Sequence, residues 1–260
     1  MIGHLLKGLS LQRIADFGLA LPERAEPFTA AENIAMKALS GRIGRRVYDP
    51  HSRFWAAWRM IDTYADQAGP RKSEIVGTDD IRFTRADVQC TVDGVTYADP
   101  SPDVLRSFVD GRDSVTVAVN VSKADYDGSR FGNSLVSLLY KLSNPMSFAA
   151  AWVKYELLFP LRGTARYSTP LFTTDGCTPW TGDLIDRTLS DVMAATLTVA
   201  QRKAKTFHSK RVWVATALYA LESSTAEIQA LVRWGSPESV NIYARMDLNY
   251  QAKRRDAMQD

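Results

Sequence analysis

A chain of 260 residues that is 45% hydrophobic and 23% charged, with a formal charge of +3, has room for one large folded domain and the composition of an ordinary globular protein. No window approaches the roughly 18 to 20 uninterrupted apolar residues that cross a bilayer, and MIGHLLKGLSLQRIADFGLA lacks the long apolar core and cleavage site of a signal peptide. Two cysteines (Cys90 and Cys177) and three histidines (His4, His51 and His208) are too few and too scattered for a disulfide framework or a zinc cluster. The expectation is an intracellular protein, in cytoplasm or nucleus according to the host, with no metal and no other cofactor.

In chain order, HLLKGLSLQRI within the first 23 residues reads as a short helix followed by a loop. Thr29 is a suitable cap for an amphipathic helix in FTAAENIAMKAL. RVYDPHSRFWAAWRMIDTYADQAG carries aromatic and aliphatic residues on one side and reads as a second helix, stopped at Gly69-Pro70, with a further short helix beginning near Arg71. From about residue 81 to 122 the texture changes. IRFTRADVQCTVDGVTY and DSVTVAVNVS alternate, are rich in Val and Thr, and are punctuated by Gly and Asp, as antiparallel strands are. The stretch 91 to 115 is longer than a minimal hairpin. Helices return from about residue 145, in PMSFAAAWVKYELLF, TGDLIDRTLSDVMAATLTVAQRKA and the segments around and after His208. The fold class expected is mainly α with a small antiparallel β-sheet (α+β).

The C-terminal part holds the most chemistry. Residues 201 to 260 carry ten Lys or Arg against six Asp or Glu, a distribution that suits either a solvated helical surface or a phosphate-contacting face. TFHSKRVWVATALYAL places His208 and Arg211 three apart on one helix face. In SSTAEIQALVRW, Ser224 and Glu227 have capping-box spacing and Ile228, Leu231 and Val232 form an apolar stripe. Gly235 is suited to end that helix, with Ser236 capping the next and Pro237 at its first position. In the last helix Ile242 and Met246 face the core, and Tyr243 sits about 100° away at the edge of the packed stripe, its hydroxyl presented.

The order Arg, Lys, His-x-x-Arg, Trp, Tyr resembles the catalytic set of the tyrosine recombinases, the phage-integrase class. AGPRKSEIV is similar to the segment carrying that family's first arginine, with Arg71 in the catalytic position and Glu74 in the supporting acidic one. VNVSKADYDG is similar to the strand-turn that carries its mobile lysine, here Lys123. HSKR matches as His208 and Arg211, and RWGSPESVNIYAR matches the block ending in the nucleophile, with Trp234 followed by Tyr243. The SKAD turn further resembles recombinases of eukaryotic or large-virus mobile elements such as cryptons. The resemblance spans about residues 25 to 250. It makes 1–24 a linker or the remnant of a DNA-clamping domain, 25–250 the catalytic domain and 251–260 a tail.

What the resemblance implies is a site-specific DNA recombinase or integrase, acting on double-stranded DNA as a homo-oligomer, a tetramer on paired sites, away from membranes. Arg71 and Arg211 would hold the scissile phosphate with paired, permanently charged donors. Trp234 would add an indole N–H, which can only donate. His208 would take the tyrosine proton and Lys123 would protonate the departing 5′ oxygen. Tyr243 would form a 3′-phosphotyrosyl intermediate, with no need of metal or nucleotide. Two other readings stay open on sequence alone. A type IB topoisomerase uses similar chemistry without strand exchange. A helix-turn-helix binding module accounts for residues 224 to 246, but not for Arg71, Lys123 or the His208–Arg211 pair.

Overall fold

The computed structural model describes residues 25–76, 83–119, 134–234 and Val240. The expected helix near the N-terminus, the turn carrying Lys123, and Gly235, Ser236, Pro237, Ile242, Tyr243 and Met246 lie outside the described residues.

Helix α1 (Ala30–Ala35) starts as expected at Thr29, whose hydroxyl accepts from the Glu32 amide while the Glu32 carboxylate accepts from the Thr29 amide. This satisfies two of the donors that a helix start leaves open. The next segment departs from the expected long helix. Residues Arg42–Ile43 (β1) and Arg46–Val47 (β2) form a two-stranded hairpin, and α2 occupies only Arg53–Ala68 behind the Ser52 cap. Helical periodicity in this stretch is carried by the aromatic residues from Phe54 onward, whereas Gly41 and Gly44 at positive φ set the turns before it. Helix α2 is surrounded: Ala57, Trp58, Met60, Ile61, Tyr64 and Ala65 are all buried, and it packs on both α5 (Phe148–Leu158) and α9 (Phe207–Ala220). It ends at Gly69 with φ +53°, where a Cβ would lie 3.3 Å from the Val214 side chain and 3.5 Å from the Arg211 backbone. Both the left-handed turn and the close approach of α9 call for glycine there. A short helix, α3 (Lys72–Val76), follows immediately.

After a single 3₁₀ turn (Arg85–Asp87), strands β3 (Val88–Val92), β4 (Val95–Tyr97), β5 (Ser114–Val119) and β6 (Ser134–Leu139) form an antiparallel sheet in the order β4-β3-β5-β6. Val88, Cys90, Val115 and Val117 share one buried face through the pairs Val88↔Val117 and Cys90↔Val115. The alternation read from the sequence is therefore the sheet's inside and outside. Strand β6 extends the sheet beyond the expected range. The irregularity of 91 to 115 has a structural cause: α4 (Pro102–Arg106) is inserted between β4 and β5. Asp113 closes that excursion by accepting from the amides of Asp93 (3.1 Å) and Val109 (2.6 Å) and from Arg112 (2.8 Å). Its hydrogen bond from Arg112, then these amides, hold its carboxyl down at about 2.

The C-terminal helices are α5, α6 (Ala165–Ser168), α7 (Gly182–Thr196), α8 (Val199–Arg202), α9 and α10 (Thr225–Val232). The stretch TGDLIDRTLSDVMAATLTVAQRKA is thus two helices parted at Leu197, because Thr198 caps the second one. Ser224 and Glu227 make the expected capping box of α10. Two details of that helix are corrected. Leu231 is exposed, so the packed stripe is Ile228 and Val232, and the left-handed residue that ends the helix is Arg233 (φ +55°) rather than Gly235.

Two of the buried ionic clusters tie the elements of the fold together. Glu156 on α5 accepts from Arg85 and from Arg166 (3.0 Å), tying the sheet's approach to α5 and α6. Beneath α9, Lys210 reaches both Asp62 (2.7 Å) and Asp66 (2.7 Å) on α2, Lys37 pairs with the same two carboxylates, and Asn33 accepts from Lys210 at 2.9 Å. All four charged side chains are at most 2% exposed. Burial alone would raise Asp62, yet Lys210 and Lys37 bring it down to about 2. The box has no net charge, which is what makes its burial tolerable, and removing one member strands the rest. Lys210→Met is expected to lower the unfolding free energy by about 3–5 kcal/mol in urea denaturation near pH 7 with an unchanged m-value. Because Asp62's folded-state value lies below the ordinary 3.8, its share of stability is present above 3.8 and is lost as pH falls toward 2.

Candidate active site

Arg71 follows the Gly69-Pro70 turn and precedes α3, a placement fixed by the end of α2. Glu74, one turn on, accepts from the Arg71 backbone amide at 2.9 Å and from Arg71 Nη1 at 2.9 Å. One carboxylate thus caps the short helix and orients the guanidinium. Arg71 also donates from Nη2 to the Arg233 carbonyl at 3.4 Å. With 24% of its side chain exposed, it keeps an edge toward the cleft.

Arg211 occupies the second turn of α9 and is only 2% exposed. Its Nη1 donates to the Gly69 carbonyl at 2.5 Å, and its Nη2 to the carbonyls of Val232 and Arg233 (3.2 Å to the latter). The side chain joins the end of α2, which presents Arg71, to the end of α10, which presents Trp234. Trp234 is 5% exposed and packs with Val214, Ala215, Ile228, Val232 and Val240, with the Arg211 guanidinium 5.6 Å from its ring centre. It contributes packing as well as proximity, as large aromatic rings do.

His208 stands on the first turn of α9 and borders a cleft of about 520 Å³, together with Pro70, Arg71, Lys72, Asp186, Met193 and Lys205. Its pKa is lowered from 6.5, first by loss of hydration against the cleft wall, then by repulsion from Arg211 and Arg71. The positive end of α9 works in the same direction. Across the cleft mouth Lys72 pairs with Asp186 of α7, and Lys205 pairs with Glu32. An exposed imidazole and a guanidinium edge at a helix N-terminus form a place where a phosphate-like anion can be held and a proton accepted.

Of the residues singled out in the sequence, the structure brings Arg71, Glu74, His208, Arg211 and Trp234 together. Lys123 and Tyr243 lie outside the described residues. One member was not anticipated. Arg233, 3% exposed, donates from Nη2 to Glu74 Oε2 at 2.9 Å. Glu74 is therefore shared between two arginines. Burial pushes its pKa up, but Arg233 and Arg211 outweigh that, and the carboxyl lies below its ordinary 4.5. Burial, opposed by Arg233 and reinforced by Glu74, pushes the nearby Tyr64 hydroxyl up to about 12. Only the adjacency of Arg233 to Trp234 offered a hint in sequence.

No family model and no curated protein matches the sequence. Solved structures do. XerA recombinase aligns over 93% of this chain and 66% of its own, with a TM-score of 0.53 at 12% identity. The XerH site-specific recombinase bound to palindromic difH substrate, a post-cleavage complex, aligns over 94% of this chain and 57% of its own (TM-score 0.53, 13% identity). The XerH pre-cleavage complex with difH substrate aligns over 91% and 55% (TM-score 0.51, 15% identity). The chain spans between 55% and 66% of the lengths of these proteins and has their fold, that of a tyrosine recombinase catalytic domain. Among the described residues no helix is long and apolar enough to cross a membrane.

The depressed His208 pKa gives a direct test. In an imidazole titration followed by NMR, His208 is expected to lose its proton below pH 6.5, so that the neutral form dominates at pH 7. In Arg71→Ala the midpoint is expected to move up toward 6.5 as one repelling charge is removed. A midpoint at or above 6.5 in the unmodified protein would contradict the site's electrostatics.

Proposed function

We propose that the chain is the catalytic part of a site-specific DNA recombinase, a strand transferase that cuts and rejoins double-stranded DNA through Tyr243. The observation that carries this reading is a cleft bordered by Arg71 and His208, with the buried Arg211–Trp234 pair behind them, in a recombinase fold. The DNA-bound state of the XerH neighbours supports DNA as the substrate.

In the proposed reaction the Tyr243 oxygen attacks the scissile phosphorus and the bond to the 5′ oxygen breaks. The tyrosine proton passes to neutral His208, and Lys123 supplies a proton to the leaving oxygen. Arg71 meets the charge that develops on the non-bridging oxygens, and Arg211 and Trp234 hold the ground on which it does so. A 5′-hydroxyl of a second strand then reverses the step, with no net change in the number of phosphodiester bonds. In this reading residues 25–250 form the catalytic domain, 1–24 a linker or remnant of a DNA-clamping domain, and 251–260 a tail. Exchange between two duplexes implies a homo-oligomer, a tetramer on paired sites. The reaction needs neither metal nor nucleotide.

The test is covalent trapping. Nicked duplex DNA incubated with the protein in EDTA is expected to yield an adduct that survives denaturing electrophoresis, and Tyr243→Phe is expected to yield none while still binding DNA. Arg71→Ala is expected to slow adduct formation on the order of a hundred- to thousand-fold, the usual effect of removing one preorganised donor. DNA binding without any adduct from the unmodified protein would overturn the reading.

A further inference from the structure

Arg233 is in a conformation that side chains other than glycine adopt at a cost. Its φ of +55° ends α10 in the left-handed region, where a Cβ crowds the following carbonyl oxygen. Its guanidinium is also almost fully removed from water. Two unfavourable features at one residue need a compensating interaction, and the structure holds it: the 2.9 Å ion pair with Glu74 Oε2. The same carboxylate orients Arg71 through Oε1 and caps its backbone amide. The Arg233 carbonyl accepts from Arg71 Nη2 and from Arg211 Nη2. From one backbone position, therefore, Arg233 meets Arg71 twice, directly through its carbonyl and indirectly through Glu74.

We propose that Arg233 is a positioning residue for the Arg71 guanidinium, acting by fixing the ionised Glu74 carboxylate between them. This deepens the strand-transfer reading and rests on it. Without Arg233, Glu74 Oε2 keeps the Arg71 amide but loses its charged partner, so that the carboxylate holds the Arg71 guanidinium less firmly. Among the described residues, the groups that face Glu74 are Arg71 from the turn before α3, Arg211 from α9, Arg233 after α10 and the Tyr64 hydroxyl from α2. Of these described groups, Arg71 and Arg233 share an ion pair with it.

The experiment compares Arg233→Gly, Arg233→Lys and Glu74→Gln in the full chain. Glycine accepts the left-handed conformation, so Arg233→Gly removes the charge without straining the turn. Covalent-adduct formation at saturating DNA is expected to fall ten- to hundred-fold in Arg233→Gly with DNA affinity nearly unchanged. Arg233→Lys is expected to restore much of the rate. Glu74→Gln added to Arg233→Gly is expected to cost no further rate, since both act through Arg71. The acid limb of the rate profile is expected to move to higher pH in Arg233→Gly and to stay in place in Arg233→Lys. Wild-type rate and an unmoved acid limb in Arg233→Gly would overturn the proposal, as would a full multiplicative loss in the double variant. If the unmodified protein binds DNA but forms no adduct, strand transfer has failed as the function. Positioning is then read from thermal melts at pH 4 to 8. Pairing predicts that the Tm difference between Arg233→Gly and the unmodified protein shrinks as Glu74 is protonated, and a pH-independent difference, or none, overturns it.

Discussion

The Arg211 guanidinium is the interaction on which the rest of the site depends. Three backbone carbonyls from two distant segments, Gly69 at the end of α2 and Val232 and Arg233 at the end of α10, converge on one buried side chain. Carbonyls at helix ends lack intrahelical partners, and burying them without donors would be costly. A guanidinium supplies several donors in a rigid plane, and hydrogen bonds to a charged group contribute about 1.5–3 kcal/mol each. A lysine, with a single compact ammonium, could not span the same carbonyls. Gly69 belongs to the same arrangement, because its missing Cβ lets α9 come close enough for Arg211 to reach. Arg71 and Trp234, more than 160 positions apart in the chain, become neighbours through that one residue.

Below this junction the support is ionic rather than apolar. Lys210, next in sequence to Arg211, enters the box with Asp62, Asp66 and Lys37, which fixes the rotation of α9 against α2. Apolar packing would allow a helix to slide or turn by small amounts at modest cost. A buried set of four charges does not, because each displacement leaves a desolvated charge short of its partner. Rotation of α9 decides whether His208 meets the cleft and Arg211 meets the carbonyls of Gly69, Val232 and Arg233, so the box helps set the geometry of the site.

The parts legible in sequence were those governed by local rules. Thr29 with Glu32 and Ser224 with Glu227 announce helix starts because capping is a matter of three residues. The alternation of β3 and β5 reports a sheet with one covered face. The grouping of Arg71, Glu74, His208, Arg211 and Trp234 was legible through family resemblance, since nothing local joins residue 71 to residue 234. What escaped was set by long-range charge. Nothing local in the sequence marks Lys37, Asp62 and Lys210 as buried. Arg233 was passed over in favour of Gly235 as the end of α10, because glycine carries the local signal for a left-handed turn. Here the Glu74 ion pair, 159 positions away, outweighs that preference. Strand β2 was absorbed into the start of the second helix because one apolar residue after an arginine fits either period, and β1 fell between the expected elements.

The ionic box beneath α9 and the cluster around Glu74 differ in charge composition. In the box, two lysines face two carboxylates and the charge cancels. At the site, Glu74 stands beside Arg71, Arg211 and Arg233 and forms ion pairs with Arg71 and Arg233. The pKa of His208 is lowered first by its loss of hydration and then by Arg211 and Arg71. In the proposed strand transfer, a phosphate seated beside Arg71 would offset the repulsion that Arg71 and Arg211 add at His208, so that proton transfer to the imidazole would become easier once the phosphate is in place. The order of events in that proposed reaction would then follow from charge held in the fold.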